Sequence, residues 1–365
     1  MHSELRLWIA LRLTPGIGNV ACKNLLEAFG SPERILGAPA EQLAGVAGMS
    51  PKIIDALGSC SANPEIERVL EKLSNTDIRV ITYNAPEYPH ALKNIYDPPP
   101  YLYVRGNLQP GDCNAIAVVG SRQASDYGLR AAADISRELA ASGLTVVSGM
   151  AAGIDSAAHR GALAAEGRTI AVLGCGADVC YPAENRRLYD QIAQKGAIVS
   201  EYAPGTGPDT YHFPARNRII SGLARGILVV EASPKSGSLI TARLALEQGR
   251  DVFAVPGSIY AFKAKGANQL IRSGAMLVET GQDIVEALGL SADQQPARSS
   301  APAPKELAPE LLRIYELLDA EPVHIDRLIC KTMLTSSAIS SALLELELSG
   351  FVRQLPGKHF IKQNA

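Results

Sequence analysis

The chain has 365 residues, 47% of them apolar and 20% charged, with a formal net charge of −2. That length and apolar content support two or three folding units with buried cores, and exclude a disordered chain or a small disulfide-stapled one. The near-neutral balance excludes a uniformly basic nucleic-acid coat, so any polyanion must be met by charge gathered on one surface.

Residues 1–75 read as short helices punctuated by glycine. Leu11-Arg-Leu-Thr-Pro-Gly-Ile-Gly18 precedes a helix over Asn19–Phe29, and Leu43-Ala-Gly-Val-Ala-Gly-Met-Ser50 precedes one over Pro51–Leu57. This repeat resembles a tandem helix-hairpin-helix unit, whose Pro-Gly-Ile-Gly turn can aim free amides at a phosphate. Residues 1–60 carry five basic and five acidic side chains, so a helical packing module is an equal alternative.

Asp77–Tyr83 has a strand pattern, and the prolines of Asp97-Pro-Pro-Pro100 lead into Tyr101-Leu-Tyr-Val104, read as a connector laid along the core. From residue 115, short apolar runs alternate with helix-length stretches, the mark of βαβ units and a parallel sheet. Strands are expected at Ala115–Val119, Leu144–Val147, Thr169–Leu173, Ala197–Val199, Ile227–Val230, Asp251–Val255 and Met276–Val278. The expected fold is therefore α/β, with a Rossmann-like core over residues 76–290. Each strand ends in glycine or small polar residues, where open α/β sheets bind ligands. A polar, proline-rich linker fills 291–306. Residues 307–365 then show three helices and a two-strand ribbon, a winged-helix pattern. Its third helix, Ser336–Leu348, carries Glu345 and Glu347 and no Lys or Arg, which favours a protein-interaction role over duplex reading.

Several constellations carry chemistry. Gly120, Ser121 and Arg122 at the first strand tip offer close approach, a hydroxyl and a bidentate guanidinium to an anion. Ser148-Gly149-Met150 ends the second strand in another small turn. Phe213-Pro-Ala-Arg-Asn-Arg-Ile-Ile-Ser-Gly222 opens a basic region that runs through Lys235-Ser236-Gly237 to Lys263. From Phe213 to Ser273 there are nine basic and three acidic residues. Phe213 is expected to stack on a base while Arg216 and Arg218, flanking Asn217, track successive phosphates. The alternative buries Phe213 and pairs the arginines with Glu231 or Glu201. No G-x-G-x-x-G with a following ribose acid is present, which disfavours a dinucleotide cofactor. Cys175 and Cys180 with His159 fit no zinc spacing, so no metal and no cofactor are expected, and the six cysteines are read as buried reduced thiols. No run reaches the roughly 18 apolar residues of a membrane span, and no secretory signal opens the chain, so a cytoplasmic protein without membrane contact is expected.

Gly120-Ser-Arg122, Ser148-Gly-x-Ala-x-Gly-Ile-Asp155, Tyr181-Pro-x-Glu-Asn185, Phe213-Pro-x-Arg-Asn-Arg-Ile-Ile-Ser-Gly222, Ser236-Gly-Ser-Leu-Ile-Thr-Ala242 and Pro256-Gly257 occur in the order and spacing of one family. The chain resembles the DNA-processing protein A family, DprA, also called Smf, and the resemblance implies that residues 1–75 form the SAM-like helical domain common at the N-terminus of its members, with a C-terminal winged helix. The resemblance implies a dimer, through the Rossmann-like core, that protects incoming single-stranded DNA and loads the recombinase RecA on it during natural transformation. It implies DNA contacts by Ser121, Arg122, Phe213, Asn217 and the glycine-rich turns. Many members carry a lysine shortly before the Phe, but Gly207–His212 has none; Lys235 or Lys263 is expected to compensate. A competing function is an enzyme on a nucleotide-derived ligand, since phosphoribohydrolases have similar cores. Pro256-Gly257-Ser258 lacks their second glycine and following acid, and Asp155, Glu201 and Glu231 are the only acids placed near strand tips, so no enzyme activity is expected.

Overall fold

A computed structural model describes residues 2–290, 309–318, 323–332, 334–349, 351–355 and 358–362. Two compact units are present, divided at residues 291 and 292. The linker expected at 291–306 lies outside the described residues.

The larger unit is built on nine strands: β1 (Ile78–Thr82), β2 (Tyr101–Gly106), β3 (Ala115–Val119), β4 (Thr145–Ser148), β5 (Thr169–Leu173), β6 (Ala197–Ser200), β7 (Gly226–Val229), β8 (Asp251–Ala254) and β9 (Met276–Leu277). Their order is β1-β2-β6-β5-β4-β3-β7-β8-β9. From β6 to β9 every neighbouring pair is parallel, and each expected core strand appears within a residue or two of its expected bounds. The central strands are buried on both faces: Ala115, Ala117 and Val119 join one apolar cluster, Ile116 and Val118 the opposite one. The period-two alternation of strand side chains produces this split.

Residues 76–106 depart from the connector reading. β1 pairs antiparallel with β2, and β2 antiparallel with β6, so this segment extends the sheet by two strands. Tyr83 N–H donates to the Pro100 carbonyl at 2.9 Å, so pairing begins on the oxygen that a proline retains. The N-terminal helices share a core with this edge: Trp8, Ile9, Leu11 and Leu25 cluster with Tyr101, Tyr103, Leu173 and Ile198. The two helical hairpins brace one another, since a Cβ on Gly16 would sit 2.8 Å from Ile53 Cγ1. Asn19, at the start of the helix Asn19–Phe29, lies 3.5 Å from a Glu201 carboxylate oxygen. Cys113 is exposed, contrary to the expectation of uniformly buried thiols.

The helices Asp126–Ala141 and Ile154–Ala164 cover one face and touch backbone to backbone. A Cβ on Gly161 would lie 2.1 Å from the Ala133 carbonyl oxygen. Among the described residues no helix is long and apolar enough to cross a membrane.

The smaller unit has helices Pro309–Glu316, Ile325–Thr332 and Ser336–Leu348, with a sheet ordered β10-β12-β11 from Val323–His324, Val352–Leu355 and His359–Lys362. Leu311, Leu328, Leu343, Leu346, Val352 and Phe360 form its core, as a winged helix requires.

Candidate nucleic-acid interface

Strands β5, β4, β3, β7 and β8 are neighbours and end on one edge. The chain leaves β3 to one side through β4 to β6 and returns to the other through β7 to β9. The β3/β7 boundary is thus the switch point where open α/β sheets form ligand crevices.

At the β3 tip, Ser125 caps the helix Asp126–Ala141, its Oγ accepting from Gly128 N–H at 3.1 Å. A Cβ on Gly120 would lie 2.6 Å from Ile154 and 2.9 Å from the Glu231 carbonyl. Gly120 therefore makes room for protein neighbours. Ser121 N–H donates to the Glu231 carbonyl at 2.7 Å, and the Ser121 carbonyl accepts from Ile154 N–H at 3.1 Å. The backbone of the turn is locked, and Arg122 stands exposed at its end. The Arg122 guanidinium lies over the Phe213 ring, 5.2 Å from the centroid.

At the β4 tip, Met150 has φ of 62° and Gly153 φ of 80°, both left-handed. Side chains hold this strained turn. Asp155 Oδ2 accepts from Gly149 N–H at 3.2 Å and Ala151 N–H at 3.4 Å, while Asn185 Nδ2 donates to the Met150 carbonyl at 3.0 Å. Arg216 donates to the Gly149 carbonyl at 2.9 Å and to that of Val172. Burial raises the Asp155 carboxyl, opposed by Arg216 and the two amides; burial lowers Arg216 to about 10, so it stays charged at neutral pH. Gly149 is buried, and a Cβ there would lie 2.5 Å from Arg216 Nη2. Gly149 and Arg216 are thus one internal clamp rather than ligand contacts.

The helix His212–Leu223 begins against the β5 tip. Phe213 is half-buried: its ring covers Gly174, where a Cβ would lie 2.9 Å from Cδ1, and leans on Tyr181 with centroids 5.5 Å apart. His212 stacks on Tyr202 at 3.9 Å and places Nδ1 3.1 Å from the Gly174 carbonyl. Phe213 and the half-buried Asn217, four residues apart, share a helix face. Both expected phosphate-tracking arginines nevertheless turn inward and are buried, Arg216 donating from Nε to Asn217 Oδ1 at 3.3 Å. Arg218 donates from Nε to Asp97 at 2.8 Å and from Nη2 to Glu201 at 2.6 Å, with side-chain exposure of 8% against 7% for Glu201. The ion-pair alternative with Glu201 describes Arg218.

Beyond β7, Ser236 caps the helix Gly237–Glu247, accepting from Ser238 N–H at 3.4 Å, with Lys235 exposed and open space over Gly237. Lys263 Nζ donates to the Gln123 carbonyl at 2.5 Å, which brings it beside the Arg122 turn. No ion pair among the described residues engages Arg122, Lys235 or Lys263. The edge therefore offers Ser121, Arg122, Phe213, Asn217, Lys235, Ser236, Gly237 and Lys263, while Gly120, Gly149, Arg216 and Arg218 support it from within. Tyr181 and Gly174 were missed as site residues. Tyr181 stands in a motif of the family resemblance, and Gly174 opens a Gly-Cys-Gly that is not a dinucleotide signature, because Val179 stands where the third glycine would. The nearby acids are engaged: Glu231 accepts from Ser125 Oγ at 2.5 Å, Asp155 from two amides and Glu201 from Arg218.

Residues 79–289 match the family described as DNA recombination-mediator protein A, and residues 298–358 match the DprA winged helix domain. Protein Smf of Synechocystis is 37% identical over 98% of this chain and 99% of its own. The DNA processing protein DprA of Streptococcus pneumoniae is 50% identical over 54% of this chain and 70% of its own. The crystal structure of S. pneumoniae DprA superposes with a TM-score of 0.67 at 37% identity, covering 78% of this chain and 97% of that one. A Helicobacter pylori DNA processing protein A, whose structure was solved for its single-stranded DNA binding mode, gives 0.54 at 31% identity over 60% of this chain and 98% of that one. With its fold, its strand-tip motifs and both domains matched, the chain belongs to the DNA recombination-mediator protein A family, DprA.

Proposed function

We propose that this chain binds single-stranded DNA along the strand-tip edge, without turning it over, and that it hands the incoming strand to RecA during natural transformation as a homodimer joined through the Rossmann-like core. The observation that carries the DNA reading is the Arg122 guanidinium over the half-buried Phe213 ring. Cation and aromatic face together form the pairing that a phosphate and a neighbouring base require, independent of sequence. Lys235 and Lys263 add charge on either side, and the H. pylori relative is a single-stranded DNA binder. The absence of turnover is supported by Asp155, Glu201 and Glu231, whose carboxylates are engaged within the fold. The RecA and dimer assignments rest on family membership.

Fluorescence anisotropy with single-stranded and duplex oligonucleotides tests the reading, with single strands expected to bind more tightly. Arg122→Ala should weaken single-strand binding by about 1.5–3 kcal/mol whatever the base sequence, the loss of one charge-assisted contact. Unchanged affinity in a folded Arg122→Ala protein would reject this site.

A further inference from the structure

The loop between β8 and the helix Lys265–Arg272 places Ile259, Tyr260 and Phe262 in solvent, with relative exposures of 74%, 91% and 63%. Three large apolar side chains so exposed within four residues are not core formers that missed their place, because their own loop is tied down. Asn268 Oδ1 accepts from Gly257 N–H at 3.1 Å, and its Nδ2 donates to the Gly257 carbonyl at 2.8 Å. Tyr127 Oη donates to the Pro256 carbonyl at 2.8 Å. Gly266 N–H donates to the Ala232 carbonyl at 2.8 Å, and Lys263 reaches the Gln123 carbonyl. The loop is thus fastened to the tips of both β3 and β7, against the turn that carries Arg122. Its aromatics are interleaved with cations: Lys263 follows Phe262, and Lys265 Nζ lies 5.8 Å from the Phe262 ring centroid.

We infer that Tyr260 and Phe262 form a second base-stacking platform, on which a single strand seated at Arg122 and Phe213 continues across the β3, β7 and β8 tips, with Lys263 and Lys265 meeting its phosphates. The inference rests on the single-stranded DNA reading above. Its chemistry is that of a sequence-tolerant groove, aromatic faces for bases beside cations for the backbone. The geometry sets the length. From β5, which Phe213 abuts, to β8 is four strand spacings, about 19 Å at roughly 4.8 Å each. That matches about six nucleotides at the B-form rise of about 3.4 Å per strand step, and fewer for an extended strand.

The test is affinity against oligonucleotide length, for the full chain and for Tyr260→Ala/Phe262→Ala. Wild type should bind a deoxythymidine 12-mer much more tightly than a 3-mer. The double variant should lose at least about tenfold on the 12-mer, keep wild-type affinity for the 3-mer, and leave the salt slope unchanged, because stacking releases no counterions. Both substituted side chains lie in solvent, so circular dichroism should show an intact fold. Equal affinity of wild type and variant for the 12-mer overturns the platform, as does an equal loss on both lengths. A variant that keeps its DNA affinity but changes oligomeric state in sedimentation assigns the loop to a second copy of the chain instead. If Arg122→Ala also binds normally, the single-stranded DNA reading fails with it; if Arg122→Ala is weakened and the loop variant is not, only the platform fails.

Discussion

Replacing Arg218 with alanine separates a structural arginine from a phosphate-binding one. Its guanidinium meets Glu201 at 2.6 Å and Asp97 at 2.8 Å, and Glu201 is as buried as the arginine itself. Removing one partner of a buried pair costs about 3–5 kcal/mol, mainly because the remaining charge is stranded. Two features place Arg218→Ala near the lower end. The Asp97 side chain is 36% exposed, so water can resolvate it. Arg218 Nη1 is buried without a partner, so its removal relieves a desolvation cost. A loss of about 3 kcal/mol, or roughly 5 °C in a unit of this size, is expected in thermal denaturation. Single-strand affinity measured below the transition should keep the wild-type dependence on salt. An Arg218→Ala protein that melts like wild type, with its slope of log K against log salt reduced by about 0.7, would show that Arg218 holds a phosphate.

Phe213→Ala should weaken single-strand binding by about 1–3 kcal/mol with the salt slope unchanged; a protein that melts far below wild type yet binds normally would make Phe213 a core residue. Deleting residues 292–365 should leave DNA affinity within a fewfold, because Ser336–Leu348 has no basic residue, and a tenfold loss in titrations would make the winged helix a DNA reader. His159 gives the fold an acid limit. Thr169 Oγ1 donates to the Val146 carbonyl and so accepts from His159 Nδ1–H at 2.7 Å, leaving Nε2 buried without a partner. Burial lowers the imidazole from 6.5 to about 3, so its contribution to stability is complete above pH 6.5 and is lost as pH falls toward 3. Denaturation at pH 7.5 and 4.5 should differ by about 3 kcal/mol from this group, and His159→Gln should remove that difference; an identical pH slope in the variant would refute it.

The parallel strands are legible in the sequence because both their faces are buried, which leaves continuous apolar runs such as Ala-Ile-Ala-Val-Val at 115–119. β2 escapes notice because three prolines precede it, and its ladder begins on the Pro100 carbonyl, a group no residue pattern displays. The local excess of positive charge after Phe213 is equally visible, yet charge does not say which way a side chain turns. Asp97, the partner that draws Arg218 inward, lies 121 residues away, and so only the fold could sort it from Arg122. Gly120 and Gly149 present the same ambiguity, since a glycine required by a ligand and one required by a neighbouring side chain read alike.

The backbone contact at Gly161 acts as a fixed gauge. The helices Asp126–Ala141 and Ile154–Ala164 each begin at one of the strand-tip turns, after β3 and after β4, and they meet main chain to main chain at Ala133. Their separation is set by carbonyl and Cα atoms, which have no rotamers, so no side-chain rearrangement can widen or narrow the gap between the two turns. A ligand laid across them must do the adapting. A single strand, with free rotation along its backbone, does so at little cost; a duplex must be deformed, at a cost on the order of 1–6 kcal/mol for a bend of 40–90° over 20–30 base pairs. Selection for single strands would then follow from the rigidity of the protein meeting the flexibility of the nucleic acid, with no group devoted to rejecting the duplex.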